Sequence, residues 1–194
     1  MLCPCGSKQQ YEHCCRLIID QEKWAKSPEQ LMRSRYSAYA TYSNDNNKSA
    51  QYIYDTYAKN SQKSQSVDEI ADWASQCHWV KLTIHSSSPF KSLSTNEQPL
   101  MEKTTVYPTV NFSAFYLIGN KLNKITESSR FIREKTSEKQ DIATENKLDK
   151  QIFAQHQWRY LDGDVTEHTE ISTIKRNDSC PCNSNKKFKQ CCGR

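Results

Sequence analysis

Eight of the nine cysteines in this 194-residue chain fall into two clusters with one spacing. The first is Cys3-x-Cys5-x8-Cys14-Cys15, written CPCGSKQQYEHCC, and the second is Cys180-x-Cys182-x8-Cys191-Cys192, written CPCNSNKKFKQCC. Both place a proline between the first pair (Pro4, Pro181), a serine two residues after the second cysteine (Ser7, Ser184) and an aromatic three residues before the third (Tyr11, Phe188). This is an internal repeat whose copies are separated by a whole domain, so it builds no solenoid. Four thiolates in two close pairs joined by a short loop suit a closed tetrahedral site, and soft thiolate ligands favour zinc. The sequence therefore predicts two zinc ions, one per cluster. An iron–sulfur cluster is the weaker alternative, because the spacing is not a ferredoxin one. Gly6 and Asn183 suit the left-handed backbone of a tight metal-binding turn. Lys186, Lys187 and Lys189 lie between ligand pairs, where positive charge offsets that of bound thiolates. His13 adjoins Cys14 and could replace a ligand, but the register of the repeat favours Cys15.

Composition limits the possibilities around these clusters. The formal net charge is +5, from 27 basic and 22 acidic residues. All of it sits in the last 20 residues, where Lys175, Arg176, Lys186, Lys187, Lys189 and Arg194 face one acid, Asp178. This is a local patch and not a basic protein. Ligation requires deprotonated thiols, so two loaded clusters bring the total to about +1 and make the N-terminal cluster slightly negative. No apolar run approaches the ~18 residues of a membrane span, and the N-terminus lacks the basic region and apolar core of a secretory signal. The expectation is a cytoplasmic protein with reduced thiols, where metal binding outranks disulfides. The length suits one ordinary domain with small appendages.

Cys180-Pro181-Cys182-x-Ser184-x-Lys186-Lys187-Phe188-Lys189-x-Cys191-Cys192-Gly193 resembles the SEC-C motif, the zinc-binding module at the C-terminus of the SecA translocation ATPase. Where that module usually has glycines this chain carries Asn183 and Asn185; the N-terminal copy keeps Gly6 and has Lys8. In SecA the module docks on the export chaperone SecB. The resemblance thus implies a protein partner, chaperone, translocation or ribosome-associated, met through the C-terminal knuckle and its Lys186, Lys187 and Lys189. Contact with RNA, including ribosomal RNA, would be weak and salt-sensitive with so few charges. Neither a membrane nor DNA is an expected partner.

The segment between the clusters must supply the core. Ser27-Pro28-Glu29-Gln30 is a helix start, with Ser as cap and Pro at the first helical position. The helix following it, from Leu31 to about Tyr42, aligns Leu31, Ala38, Tyr39 and Tyr42. Ala50, Ile53, Tyr54 and Tyr57 suggest a second helix, and the capping box Ser66-Val67-Asp68-Glu69 opens a third. The period then changes. Val80, Leu82 and Ile84 alternate with polar residues, as do Val110, Phe112, Ala114 and Tyr116 in a longer run from Val106 to Ile118. Gly119-Asn120 reads as a turn, Lys121 to Arg133 as a return strand, and Trp158-Arg159-Tyr160-Leu161 as a short strand ending in a turn at Asp162-Gly163. Residues 134–152 read as a loop insertion. Helices followed by antiparallel strands predict an α+β fold with helices on one face of a curved sheet. The order resembles the cystatin-like α+β roll of the nuclear transport factor superfamily. Leu31-Met32-Arg33-Ser34-Arg35-Tyr36-Ser37-Ala38-Tyr39, Glu127-x-Ser129-Arg130-Phe131 and Trp158-x-Tyr160-x-Asp162-Gly163 are similar to the middle domain of the YchJ family, which carries such a domain between two SEC-C motifs. The division expected is a knuckle at 1–17, the roll at 18–174 and a second knuckle at 175–194.

Within the roll, Arg33, Arg35, Glu127 and Tyr160 form a candidate pocket, since guanidinium groups match carboxylate or phosphate. The plainer reading, preferred here, pairs one arginine with Glu127 and leaves the other in solvent, because no nucleophile–base arrangement is visible. Cys77 reads as a small buried apolar residue. The tryptophans and tyrosines lie on core-facing periodicities, and the charge around them is balanced, which favours core over base stacking. The sequence thus points to a zinc-binding adaptor, with a small-ligand binder or enzyme using the roll's cavity as the alternative. A filled cone favours the first and an open polar pocket the second.

Overall fold

The computed structural model describes residues 1–44, 47–88, 107–135 and 156–194. Among these residues five α-helices precede four strands: α1 (Cys15–Ile19), α2 (Pro28–Thr41), α3 (Lys48–Asp55), α4 (Lys59–Gln62), α5 (Val67–Gln76), β1 (His78–Ser87), β2 (Thr109–Ile118), β3 (Lys121–Lys135) and β4 (His156–Thr173). The strands form one antiparallel sheet in sequence order. This is the expected α+β roll.

The predicted helix starts have the expected chemistry. Ser27 Oγ accepts from the Gln30 N–H at 3.1 Å, and Gln30 Oε1 reaches back to the Lys26 N–H at 2.6 Å. Pro28 takes the first helical position, where its missing N–H costs nothing. Ser66 Oγ accepts from the Glu69 N–H at 3.5 Å and opens α5. The start of α4 is capped from a distance: the Glu134 carboxylate accepts the Lys59 N–H at 3.1 and 3.2 Å, placing negative charge on a helix N-terminus. Gly119, at φ +61°, makes the two-residue turn between β2 and β3.

The core has three parts. Leu31, Met32 and Tyr36 of α2 pack on Leu82, Val110, Phe112, Ala114, Phe131 and Trp158 of the sheet. Behind α2, Ile18, Ile19, Ala38, Ala50, Tyr52, Ile53, Ile70 and Ala71 enclose Cys3, Cys5 and Cys15. At one end of the sheet, Leu117, Val80, Leu122 and Ile174 receive Phe188 and the C-terminal cysteines.

Register slips account for two departures from expectation. Trp79 pairs with Tyr116 and Lys81 with Phe115, so Val80 is an extra residue. The bulge absorbs one position of the alternation. Trp79 thereby joins Leu82 and Ile84, while Val80 packs with Leu117 and Leu122. The predicted turn at Asp162-Gly163 is also corrected: both residues lie inside an 18-residue β4, opposite Arg130 and Ser129. Slips between Arg130/Phe131, Thr126/Glu127 and Leu122/Asn123 leave Leu161, Thr166 and Ile171 as extra residues. Bulges at this regular interval curl the sheet. Glu134 and Lys135, expected to begin the insertion, extend β3 and pair with Gln157 and His156. The rest of that insertion lies outside the described residues.

Gly163 is required by close approach and not by a turn. A Cβ built there would lie 2.0 Å from Glu127 Oε1 and 2.7 Å from the Tyr160 hydroxyl. Because Glu127 is held by both Tyr160 and Ser129, it has little room to yield. Gly163→Ala is therefore expected to destabilise the domain by about 1–3 kcal/mol, read as a lower urea midpoint at unchanged slope.

Candidate metal centres and the buried arginine

The four sulfurs of Cys3, Cys5, Cys14 and Cys15 lie within 4.8 Å of one another, and so do those of Cys180, Cys182, Cys191 and Cys192. Neighbouring sulfurs are 3.8 Å (Cys5–Cys14) and 3.9 Å (Cys14–Cys15) apart in the first group. In the second they are 3.4 Å (Cys180–Cys182), 3.5 Å (Cys182–Cys191) and 3.9 Å (Cys191–Cys192). Ligands about 2.3 Å from a tetrahedral ion would be about 3.8 Å apart, so both groups fit a four-coordinate metal ion. His13 is exposed and outside the group, as the register of the repeat implies.

The two modules share their backbone bonding. The Cys3 N–H donates to the Gln9 carbonyl and the Cys180 N–H to that of Lys186, each at 2.8 Å. The Cys14 N–H donates to Tyr11 at 3.1 Å and the Cys191 N–H to Phe188 at 3.0 Å. Ser7 Oγ lies 3.3 Å from Cys14 Sγ, and Ser184 Oγ donates to Cys191 Sγ at 3.2 Å. Gly6, Lys8, Asn183 and Asn185 all have φ between 59° and 79°. Glycine and asparagine enter that region readily, whereas lysine carries a penalty of about 1–2 kcal/mol.

Thiols held this close cannot all ionise without a cation. Hydrogen bonding with Cys3 and Cys5, then burial, drives the Cys15 pKa far up, while the hydrogen bond with Cys15 drives that of Cys5 far down. Burial, followed by Cys180 and Cys182, drives Cys192 up. A bound cation removes the conflict by neutralising thiolate charge.

The modules differ in their seating. In the first, Cys3, Cys5 and Cys15 are 5, 0 and 2% exposed, and α1 runs from Cys15 into the core. Arg33 donates from Nη1 to the Cys5 carbonyl at 2.6 Å, Cys3 Sγ lies 3.6 Å from Ser37 Oγ, and the Tyr11 hydroxyl lies 3.3 Å from Thr41 Oγ1. The expected boundary at residue 17 falls inside α1. In the second, Cys180 is buried, but Cys182, Cys191 and Cys192 are half-buried. Lys186 and Lys187 are exposed and Lys189 half-buried.

The four candidate pocket residues separate. Arg33 pairs with Glu29 at 2.8 Å and holds the first metal loop. Arg35 is 4% exposed; its Nη1 donates to the Ile53 carbonyl and to Thr56 Oγ1, each at 2.7 Å. The guanidinium carbon of Arg35 lies 4.3 Å from the ring centre of Tyr57 and 4.7 Å from that of Tyr160. Glu127 accepts from the Tyr160 hydroxyl at 2.8 Å and from Ser129 Oγ at 2.6 Å. The preferred expectation, an arginine paired with Glu127 and the other in solvent, is thus replaced. Two residues apart on a helix, Arg33 and Arg35 point to nearly opposite sides. Burial, then the Glu127 charge, raises the Tyr160 pKa far above its usual value, so Tyr160 stays a neutral donor. Sequence reasoning missed the roles of Ser37, Thr56, Tyr57 and Ser129, although Ser37 and Ser129 sat in motifs already singled out and Tyr57 in a helical pattern. Cys77 is 7% exposed and burial pushes its thiol up to about 11, in keeping with an unreactive core residue.

Among known proteins, the pattern described as "YchJ, middle NTF2-like domain" matches residues 27–163, and the SEC-C motif matches residues 176–194. A UPF0225 protein of Enterobacter sp. (strain 638) is 32% identical over 193 residues, which are 100% of this chain and 98% of the relative. A SEC-C motif containing protein from Psychrobacter arcticus has 23% identity and a TM-score of 0.58, covering 100% of this chain and 96% of its own. Another, from Rhodopseudomonas palustris, has 23% identity and a TM-score of 0.57, covering 86% of this chain and 100% of its own. Both crystal and solution relatives thus share the fold.

Proposed function

The chain belongs to the YchJ family, and from that footing we propose that it is a cytoplasmic zinc-binding adaptor whose C-terminal knuckle docks on a protein partner. The observation that carries this reading is the seating of that knuckle. Phe188 anchors it to Leu117 at one end of the sheet, while Lys186 and Lys187 face solvent on the loop joining the ligand pairs. Such a loop, held rigid by an ion and bearing unneutralised amines, suits an acidic protein surface. Zinc is the ion best suited to closed all-thiolate tetrahedra with these sulfur separations. Eight of the nine cysteines gather in two groups of ligand geometry, an arrangement that requires reduced thiols, and among the described residues no helix is long and apolar enough to cross a membrane. The partner is a chaperone, a translocation component or a ribosome-associated protein; RNA contact is secondary.

The packing of aromatic rings around Trp79 weighs against a ligand pocket at that place in the roll. Trp79 lies 5.7 Å from Tyr36, 5.3 Å from Tyr39 and 5.1 Å from Tyr116, ring centre to ring centre. These are packing distances between rings in contact. The test is affinity capture with the wild-type chain beside a Cys191→Ser/Cys192→Ser variant. The expected result is a protein retained by the first and lost by the second; identical captures would overturn docking through this knuckle.

A further inference from the structure

The repeat makes two chemically alike centres, but the fold guards only one of them. We propose that the C-terminal centre is an oxidisable, metal-releasing site, in which Cys182 and Cys191 close to a disulfide on reaction with a peroxide, while the N-terminal centre keeps its ion. The proposal rests on the zinc reading above but not on docking to any partner.

Access differs first. Three of the four N-terminal ligands are at most 5% exposed, whereas three of the four C-terminal ligands are half-buried. Bracing differs second. Arg33, Ser37 and Thr41 of α2 hold the first module through the Cys5 carbonyl, Cys3 and Tyr11. The ligand Cys15 also begins α1, whose Ile18 and Ile19 belong to the core. Opening that module disturbs two helices. Among the described residues the second module is joined to the rest through a small cluster around Phe188, Leu117 and Ile174, and much of its bonding is internal, as in Lys189 N–H to Arg176 at 3.1 Å. It can open alone, and local openings of weakly braced elements are the accessible ones.

The geometry also selects the sulfur pair. Cys191 and Cys192 are adjacent, with Cα atoms about 3.8 Å apart, below the range that disulfides ordinarily span. Cys180 and Cys182 enclose a single proline. Cys182 and Cys191 stand nine residues apart in the chain, have sulfurs 3.5 Å apart and are both half-buried. One thiolate attacks a peroxide oxygen, cleaves the O–O bond, becomes a sulfenic acid and releases hydroxide. The second thiolate attacks the sulfenic sulfur, forms the S–S bond and expels a second hydroxide. Two electrons pass from sulfur to peroxide, and two solvent protons complete two waters. Cys180 and Cys192 alone cannot close a tetrahedron, and the ion leaves.

The test uses the full chain loaded with zinc and titrated with hydrogen peroxide, with released metal read by a chromogenic chelator and disulfides mapped by mass spectrometry. The expected result is one equivalent released at least about tenfold faster than the second, a difference that 1.4 kcal/mol of extra bracing produces. It should be accompanied by a Cys182–Cys191 disulfide, unchanged far-ultraviolet dichroism and recovery on adding a dithiol with zinc. A Cys182→Ser variant should lose the fast phase. Simultaneous release of both ions, a disulfide among Cys3, Cys5, Cys14 and Cys15, or an oxidised C-terminal pair that retains its metal would each overturn the proposal. Fewer than two equivalents before oxidant would overturn the zinc reading beneath it.

Discussion

Cys5→Ser should cost the protein its cooperative fold, whereas Cys182→Ser should cost it one metal ion and little else. Cys5 is wholly buried, and its carbonyl is the acceptor by which Arg33 of α2 grips the metal loop. The hydrophobic cluster around it contains Ile18, Ile19, Ala50, Tyr52 and Ile53, so α1, α2 and α3 all meet at this centre. Structural thiolate sites contribute on the order of 10 kcal/mol or more of apparent binding free energy, comparable with the entire stability of a domain. Replacing one ligand removes much of that and leaves sulfur and hydroxyl groups buried without their cation. The expected observation is loss of the near-ultraviolet dichroism of the packed tyrosines, together with a broad, shallow thermal transition. At the C-terminal centre, only the small cluster around Phe188 depends on the ion. There the metal count should fall from two to one while the main unfolding transition stays within about 1 kcal/mol of wild type. Equal destabilisation by the two substitutions would contradict the unequal seating of the modules.

Arg35→Met should lower stability by about 2–4 kcal/mol, read from urea denaturation. Two hydrogen bonds from a charged donor disappear, to the Ile53 carbonyl and Thr56 Oγ1, each worth about 1.5–3 kcal/mol in such settings. The guanidinium also lies against the rings of Tyr57 and Tyr160, which meet edge to face, and a desolvated cation–π contact contributes about 2 kcal/mol. Opposing this, methionine carries no charge to desolvate, and replacing a buried ion by an apolar side chain recovers several kcal/mol. The balance favours arginine because the change leaves the Ile53 carbonyl with the Thr56 hydroxyl, 2.9 Å away, in place of a charged donor. It also loosens Thr56–Ala58, a segment that pairs with Tyr160 through bonds of 2.9 and 2.8 Å. An increase in stability would mean that the desolvation cost of Arg35 outweighs its bonds.

The two cysteine clusters were legible in the sequence because four side chains joined by a short connecting loop are nearly local, and the repeat supplied its own control. Ser7 and Ser184 were visible in the repeat, but their bonds to Cys14 and Cys191 were not, since a serine near sulfur has many possible acceptors. The helix starts at Ser27 and Ser66 were legible for the same reason of locality. Strand faces were less so. Val80 and the Asp162-Gly163 pair obey local rules for an alternating strand and a turn, yet bulges set by cross-strand register override both. The buried arginine was the hardest to read. Its acceptor is the Ile53 carbonyl, and any residue presents a carbonyl. That Arg33 and Arg35 face opposite sides of one helix was, however, available from helical geometry.

Several of the ties that hold the helical layer to β3 and β4 span great distances along the chain. Thr56 and Ala58 meet Tyr160, Ser61 Oγ donates to the Leu161 carbonyl at 2.5 Å, and Glu134 caps α4. During synthesis, the residues of the first metal module and its α2 brace emerge early and together. The seat of Arg35 remains incomplete for roughly a hundred further residues, until β4 arrives. Contacts of such high sequence separation form late and slow the search for the native state. The nascent chain thus carries a helical half built around the first cysteine cluster, with an unfinished cationic centre waiting for the strand that closes it.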